Sequence, residues 1–394
     1  MKQHDNFKLE LVTNVESGLY SINKVFPFLE EKNYKKILLF LDENLFRNSK
    51  YLKNFIKKLK IKKKPKVVFF DGKEEPTYQK LDTTIKYLKK SNPNIFDCII
   101  AIGGGSTIDF SKGVATILKN PGTSIKYRGF PKKLNPSIPV IAIPSTAGTG
   151  AELAYNAVFT DMKSKIKFGI NTKNNYPILS ILDPKILINS PKSVIFNSGL
   201  GALIRSVDTL FNKKANKISE IFSLNAFSLL FSTLPKFLNN RKNLEYSSKM
   251  QWGAYLSVAA LLNSSSGPSG EIAYYLSTNY KVPQGIGYGI SGLNFFKTNH
   301  EKGYYEYSKL YELIKRNNDK KKLSNKEKSK YVINSLFKIL KRSKKSMKKI
   351  NISEQEIKKI SGLVEKGNIL KNISNNPVKL TKKDLIKIIK GIVK

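Results

Sequence analysis

The chain has 394 residues, 40% of them hydrophobic and 11% aromatic, a composition that supports two globular domains and excludes a disordered chain. Its formal charge is +41, yet only six of the 70 basic residues are arginine and the lysines are spread over the whole length. That pattern reads as solvated surface and attraction for anionic small molecules, not as a nucleic-acid interface, which leans on arginine forks and clustered aromatics.

The single cysteine, Cys98 in FDCIIAI, excludes an internal disulfide and a cysteine metal cluster, and reads as a buried structural thiol. No apolar run reaches the roughly 18 residues of a membrane span. The opening MKQHDNFKLELV lacks the unbroken apolar core of a secretory signal. The expectation is a cytoplasmic protein with no membrane partner.

From the N-terminus, short apolar runs alternate with helical stretches. KKILLFLD (Lys35–Asp42), KPKVVFFDG (Lys64–Gly72), FDCIIAIGGG (Phe96–Gly105) and IPVIAIPST (Ile138–Thr146) read as strands, with helices such as YQKLDTTIKYLKK between them. Near-continuous apolar strands separated by helices predict a parallel sheet covered on both faces, hence a Rossmann-like α/β domain.

The first strong strand ends at Asp42, where a carboxylate can accept hydrogen bonds from ribose hydroxyls and repel a 2′-phosphate, or can cap a helix. The third ends in Gly103, Gly104 and Gly105, which let backbone N–H groups approach a ligand closely. Ser106 is read as the cap of the following helix, whose start suits a phosphate or diphosphate. The fourth runs into PSTAGTGAE (Pro144–Glu152), a hydroxyl- and glycine-rich loop able to close on a second part of a dinucleotide.

Beyond SILDPKILINSPKS (Ser180–Ser193) strand signals nearly vanish. Capping-box spacings begin at Ser324, Ser353 and Thr381, and Val332, Leu336, Phe337 and Leu340 form one apolar stripe. The chain therefore divides into a dinucleotide-binding α/β domain, 1–185, and an all-α substrate domain, 186–394.

GGGSTIDFSKG and PSTAGTGAE, with EEPT, NPG, KFGI (Lys167–Ile170) and ILDP in order, resemble the iron-containing alcohol dehydrogenase family, whose fold is dehydroquinate synthase-like. Within it DGKEEPT followed by GGGSTIDFSKG looks most like the 3-deoxy-D-manno-octulosonate 8-oxidase branch, which oxidises the terminal alcohol of a sugar acid with NAD. The resemblance implies NAD in preference to NADP, held in a cleft between the two domains. By position it implies that Gly103, Gly104, Gly105 and Ser106 hold the diphosphate and that Asp42 contacts the adenosine ribose. Thr146, Thr149 and Lys167 would line the nicotinamide side, with Asp109 and Lys112 supporting the turn.

The family's metal is held by an aspartate and three histidines, and this chain has two histidines in all, His4 and His300, both read as surface residues. The ligand positions fall on Gly201, Arg205, Gly270 and Gln284, so no metal is expected. One reading keeps the enzyme: Arg205 replaces the ion and polarises a carbonyl or alkoxide, Tyr274 transfers the proton, and Asp208 orients Arg205. Its substrate is a small anionic alcohol or carbonyl compound such as a sugar acid, and a homodimer is the oligomer allowed for. The other makes the chain a catalytically decayed nucleotide-binding or partner protein.

Overall fold

The computed structural model describes residues 8–72, 74–90, 96–315, 322–343, 353–357 and 371–393, so the expectation for His4 lies outside the described residues. The chain forms two compact units, one of residues 11–192 with 240–251, the other of 193–239 with 252–394 and the N-terminal ten. The division at Lys192 lies a few residues past the expected boundary. Ile186 belongs to the apolar core on one face of the sheet, which keeps the segment after residue 185 with the α/β unit. Residues 240–251 join it because Ser247 Oγ donates to the Pro184 carbonyl at 2.8 Å and Gln251 Nε2 to that of Asp183 at 3.3 Å.

The α/β unit runs β1 (Asn14–Ser17), α1 (Val25–Glu31), β2 (Ile37–Asp42), α2 (Glu43–Asn48), α3 (Lys50–Lys63), β3 (Lys66–Phe70), α4 (Tyr78–Lys89), β4 (Cys98–Gly103), α5 (Gly105–Leu118), β5 (Val140–Pro144), β6 (Asn156–Asp161), β7 (Ile166–Asn171), β8 (Leu179–Leu182) and α6 (Pro184–Leu187). Six strands make one sheet in the order β1-β8-β5-β4-β2-β3, every pairing parallel, while β6 and β7 form an antiparallel hairpin.

Alternate residues of each central strand feed opposite cores, as the two-residue period of a strand requires. Leu38, Phe40, Ile99, Ala101 and Ala142 pack with α4 and α5 through Leu81, Ile108 and Val114. Ile37, Leu39, Ile100, Ile102 and Ile141 pack with α1 and α3 through Leu29, Leu52 and Phe55. Burying each such Leu or Ile contributes roughly 1.5–3 kcal/mol. The chain leaves β2 outward to β3 and returns to β4 on β2's other side, so the strand order reverses between β2 and β4. Ligands of open parallel sheets bind at the carboxyl ends of strands flanking such a reversal, here Asp42 and Gly103.

The helical unit is built from α7 (Lys192–Phe211), α8 (Lys217–Asn239), α9 (Leu244–Leu262, whose first turns fall in 240–251), α10 (Ser269–Tyr280), α11 (Gln284–Glu301), α12 (Asn325–Leu340) and α13 (Lys382–Val393). The capping boxes read at Ser324, Ser353 and Thr381 are formed. Val332, Leu336 and Leu340 are buried.

Helix α11 approaches α7 closely on small residues. A Cβ at Gly289 would meet Leu200 Cδ2 at 2.7 Å, and one at Gly292 would collide with Ile204. Among the described residues α7 and α8 are long and apolar enough to cross a membrane by length and composition alone, although neither is an unbroken apolar run, and 83% of the apolar window of α7 is buried as in a core helix.

Candidate active site

At the carboxyl end of β4 the backbone turns from strand to helix within two residues. Gly104 is the N-cap of α5, at φ −75° and ψ −178°, and no side chain caps the helix. The expected cap, Ser106, lies inside the first turn, because the extended-to-helical change falls at Gly104. The first amides of α5 thus lack a side-chain acceptor, the arrangement that receives an anion at a helix start.

The hydroxyl-rich loop lies directly on this turn, tied by Ser145 N to the Gly103 carbonyl at 2.8 Å. A Cβ on Gly104 would stand 3.3 Å from Thr146 Cγ2, and one on Gly105 would stand 2.5 Å from Thr149 Oγ1. A Cβ on Gly103 would lie 3.0 Å from Asp42 Cβ. The structure therefore gathers Asp42, the three glycines, Thr146 and Thr149. Thr146 Oγ1 and Thr107 Oγ1, the latter in the first turn of α5, are buried and have no hydrogen-bond partner, so the turn carries two unsatisfied hydroxyls.

Asp42 also caps α2, its Oδ1 accepting from Leu45 N at 2.9 Å. Burial pushes its carboxyl above the ordinary range, against those backbone hydrogen bonds. Asp109 and Lys112 serve the turn from behind. Lys112 Nζ is fully buried, 2.8 Å from Asp109 Oδ1, and donates to the carbonyls of Ala151 at 2.9 Å, Ala154 at 3.1 Å and Asn156. Asp109 Oδ2 accepts from Val158 N at 3.2 Å, so both its oxygens are engaged with protein groups. Burial raises the Asp109 carboxyl, and Lys112 opposes it. Lys167, on β7, pairs with Glu75.

In the helical unit Arg205, in the middle of α7, is buried to 7% exposure and donates to Ser257 Oγ at 3.3 Å. Its guanidinium carbon lies 5.8 Å from the centre of the Tyr288 ring, within cation–π range. Burial raises the Tyr288 phenol, while the charge and hydrogen bond of Arg205 oppose the rise.

Asp208 was expected to orient Arg205. Its hydrogen bond instead goes to Ser269, whose Oγ donates to Oδ1 at 3.0 Å, and the influence of Arg205 on it is through charge. Asp208 Oδ2 and Glu271 Oε2 are buried with no hydrogen-bond partner. Burial pushes both carboxyls up to about 7. Tyr274 is half-buried, one turn beyond Gly270 on α10. His300, expected at the surface, is half-buried, with Nδ1 2.8 Å from Ser329 Oγ and its ring against Tyr305.

The four residues expected at the family's ligand positions do not suit a divalent ion. A Cβ at Gly201 would stand 3.2 Å from Gly285 Cα, and one at Gly270 would collide with Tyr288 Oη. At Gly270 the phenol fills the room a ligand side chain would need, while at Gly201 the neighbouring backbone leaves only a tight contact. Arg205 adds a fixed positive charge, and Gln284 is one neutral donor. Among the described residues no group of three or more His, Cys, Asp and Glu is placed to hold a metal. Sequence reasoning missed Tyr288. Its signal is one bulky polar side chain in the run GIGYGISG, where glycines already mark close helix packing.

Residues 13–184 match the family described as iron-containing alcohol dehydrogenase, and residues 195–393 match the C-terminal domain of the Fe-containing alcohol dehydrogenase family. The chain is 30% identical over 259 residues to alcohol dehydrogenase 4 of Schizosaccharomyces pombe, covering 66% of this chain and 60% of that protein. It is 28% identical over 219 residues to the NAD-dependent methanol dehydrogenase of Bacillus methanolicus, covering 56% and 57%. The matched stretches thus span less than two thirds of these relatives' length. The solved alcohol dehydrogenase of Oenococcus oeni superposes with a TM-score of 0.85 at 25% identity, over 98% of this chain and 99% of that one. With both of its halves matched, the chain belongs to the iron-containing alcohol dehydrogenase family.

Proposed function

We propose that the protein interconverts an alcohol and a carbonyl by hydride transfer with a nicotinamide dinucleotide, and that it does so without a divalent metal. The observation that carries the reading is the uncapped start of α5 at Gly103–Gly105, walled by Thr146 and Thr149, with an unpartnered buried hydroxyl beside it. That is a seat for the dinucleotide diphosphate. Asp42 would meet the adenosine ribose with its second oxygen and disfavour a 2′-phosphate, so NAD is the cofactor in preference to NADP. Ser106 joins the diphosphate seat from the first turn, and Lys167 lies on the nicotinamide side.

In the helical unit the buried cation of Arg205 supplies the charge at the substrate oxygen. A phenol supplies the proton, Tyr274 by its place in the sequence or Tyr288, whose ring centre lies 5.8 Å from the Arg205 guanidinium carbon. The substrate is a small cytoplasmic metabolite carrying an anionic group, a sugar acid being the type.

NADH fluorescence titration tests the cofactor, and NADH is expected to bind at least about tenfold more tightly than NADPH. Turnover of small aldehydes should survive EDTA and be lost in Arg205→Ala. No NADH binding, or turnover that requires added metal, would overturn the reading. NADH binding without turnover of any aldehyde would leave a nucleotide-binding protein that has lost its chemistry.

A further inference from the structure

Asp42 stands where the strand order of the α/β unit reverses, with a glycine on either side. β2 pairs with β3 as far as Asp42–Phe70 and with β4 as far as Leu41–Ile102, so the chain just past each neighbouring strand flanks the carboxylate. On the β4 side a Cβ at Gly103 would lie 3.0 Å from Asp42 Cβ. The β3 side is tighter: a Cβ at Gly72 would fall on Asp42 Oδ2 and lie 3.0 Å from Asp42 Cγ. The φ of Gly72 is not in the left-handed region, so room rather than backbone conformation calls for glycine here.

Neither partner can back away freely. Asp42 Oδ1 caps α2 by accepting from Leu45 N at 2.9 Å. Asn44 Nδ2 of the same helix donates to Asp71 Oδ1 at 3.2 Å, which ties the residue before Gly72 to α2. With Oδ1 engaged at the cap, Oδ2 is the oxygen that lies against Gly72.

The charge of the whole chain works against a preference for NADH. A surplus of 41 positive charges attracts NADPH more strongly, because a 2′-phosphate adds about 1.5–2 negative charges. Discrimination therefore needs a negative charge held in one place.

We propose that Gly72 is the positioning residue for nucleotide selectivity, an assignment that rests on the NAD reading above. By carrying no side chain it keeps the Asp42 carboxylate on its cap, with Oδ2 left for the ribose hydroxyls and against a 2′-phosphate. Any side chain at residue 72 turns that carboxylate aside and leaves selectivity to the charge field.

The test titrates NADH and NADPH fluorescence on the wild type, Gly72→Ala, Asp42→Ala and the double variant, and reads the ratio of the two affinities, which a merely structural role would not move. The wild type is expected to favour NADH about tenfold or more, and each single variant to bring the ratio within about threefold of unity. The double variant should match Asp42→Ala, because both substitutions act through one carboxylate. Should Gly72→Ala melt too early to titrate, Asp42→Glu keeps the charge but moves it by one methylene, and should lose the preference likewise. An unchanged ratio in Gly72→Ala or Asp42→Glu, or a further change in the double variant, overturns the assignment. A wild type that binds both nucleotides equally overturns the role of Asp42 with it, and one that binds neither overturns the dinucleotide reading as well.

Discussion

One methyl group distinguishes two adjacent glycines of the α5 turn. At Gly104 the backbone is one that alanine adopts without strain, and the new Cβ would lie 3.3 Å from Thr146 Cγ2, a contact that a small shift relieves. Gly104→Ala is therefore expected to leave the melting temperature nearly unchanged. The methyl would enter the space proposed for the diphosphate, so NADH affinity should fall about tenfold or more. At Gly103 the Cβ would stand 2.5 Å from Thr107 Oγ1, 2.7 Å from Thr107 Cβ and 3.0 Å from Asp42 Cβ, at a buried site. Gly103→Ala should cost about 1–3 kcal/mol of stability, seen as a lower melting temperature. Unchanged NADH affinity in Gly104→Ala would show that the turn does not seat the diphosphate. Such residues were legible in the sequence because glycines and small hydroxyls at a strand end are local signals. Tyr288 was not, since its meeting with Arg205 depends on how α11 packs on α7, and no spacing along the chain records that.

The central strands could be read for a related reason. β2, β4 and β5 are unbroken apolar runs, buried from end to end apart from the half-buried Asp42 that closes β2. β1 exposes most of its four residues and exists by pairing with β8 across the length of the unit. β6 and β7 mix polar and apolar residues, so IKFGIN registers as a family motif fragment before it registers as a strand.

Helix ends carry a further consequence. Asp208 of α7 accepts from the hydroxyl and from the backbone N–H of Ser269, the first residue of α10, and the second of these bonds caps that helix from a neighbour. Carboxylate is the form a helix start favours, but burial outweighs this and lifts the group from its ordinary 3.8 to about 7. Between those values the folded chain holds a proton that the unfolded chain has released. The stabilisation is complete below pH about 4 and is lost as pH rises through about 7. Thermal melts across that range should show the wild type losing stability relative to Asp208→Asn, by an amount on the order of 1–4 kcal/mol. Parallel pH curves for the two proteins would show that Asp208 ionises normally in the folded state.

At the scale of the molecule the controlling quantity is charge. However the 29 acids pair, a formal excess of 41 positive charges remains. The described ion pairs lie mostly at the surface, as in Lys32–Glu31, Lys249–Glu245 and Lys390–Glu354, with side chains 45% exposed or more. Such pairs contribute about 0–1 kcal/mol each and weaken with salt, whereas repulsion among the surplus lysines acts over a Debye length of about 10 Å at 0.1 M and is relieved by salt. Repulsion wins this comparison, because the surplus exceeds the number of pairs that could form. Raising sodium chloride from about 0.02 M to about 0.3 M should therefore raise the melting temperature, by roughly 2–4 °C. The same screening should weaken NADH and an anionic substrate while leaving a neutral aldehyde of similar size unaffected, which separates attraction by the whole charge field from recognition by Arg205. A melting temperature that falls with salt would mean that the ion pairs, and not the surplus, set the electrostatic balance.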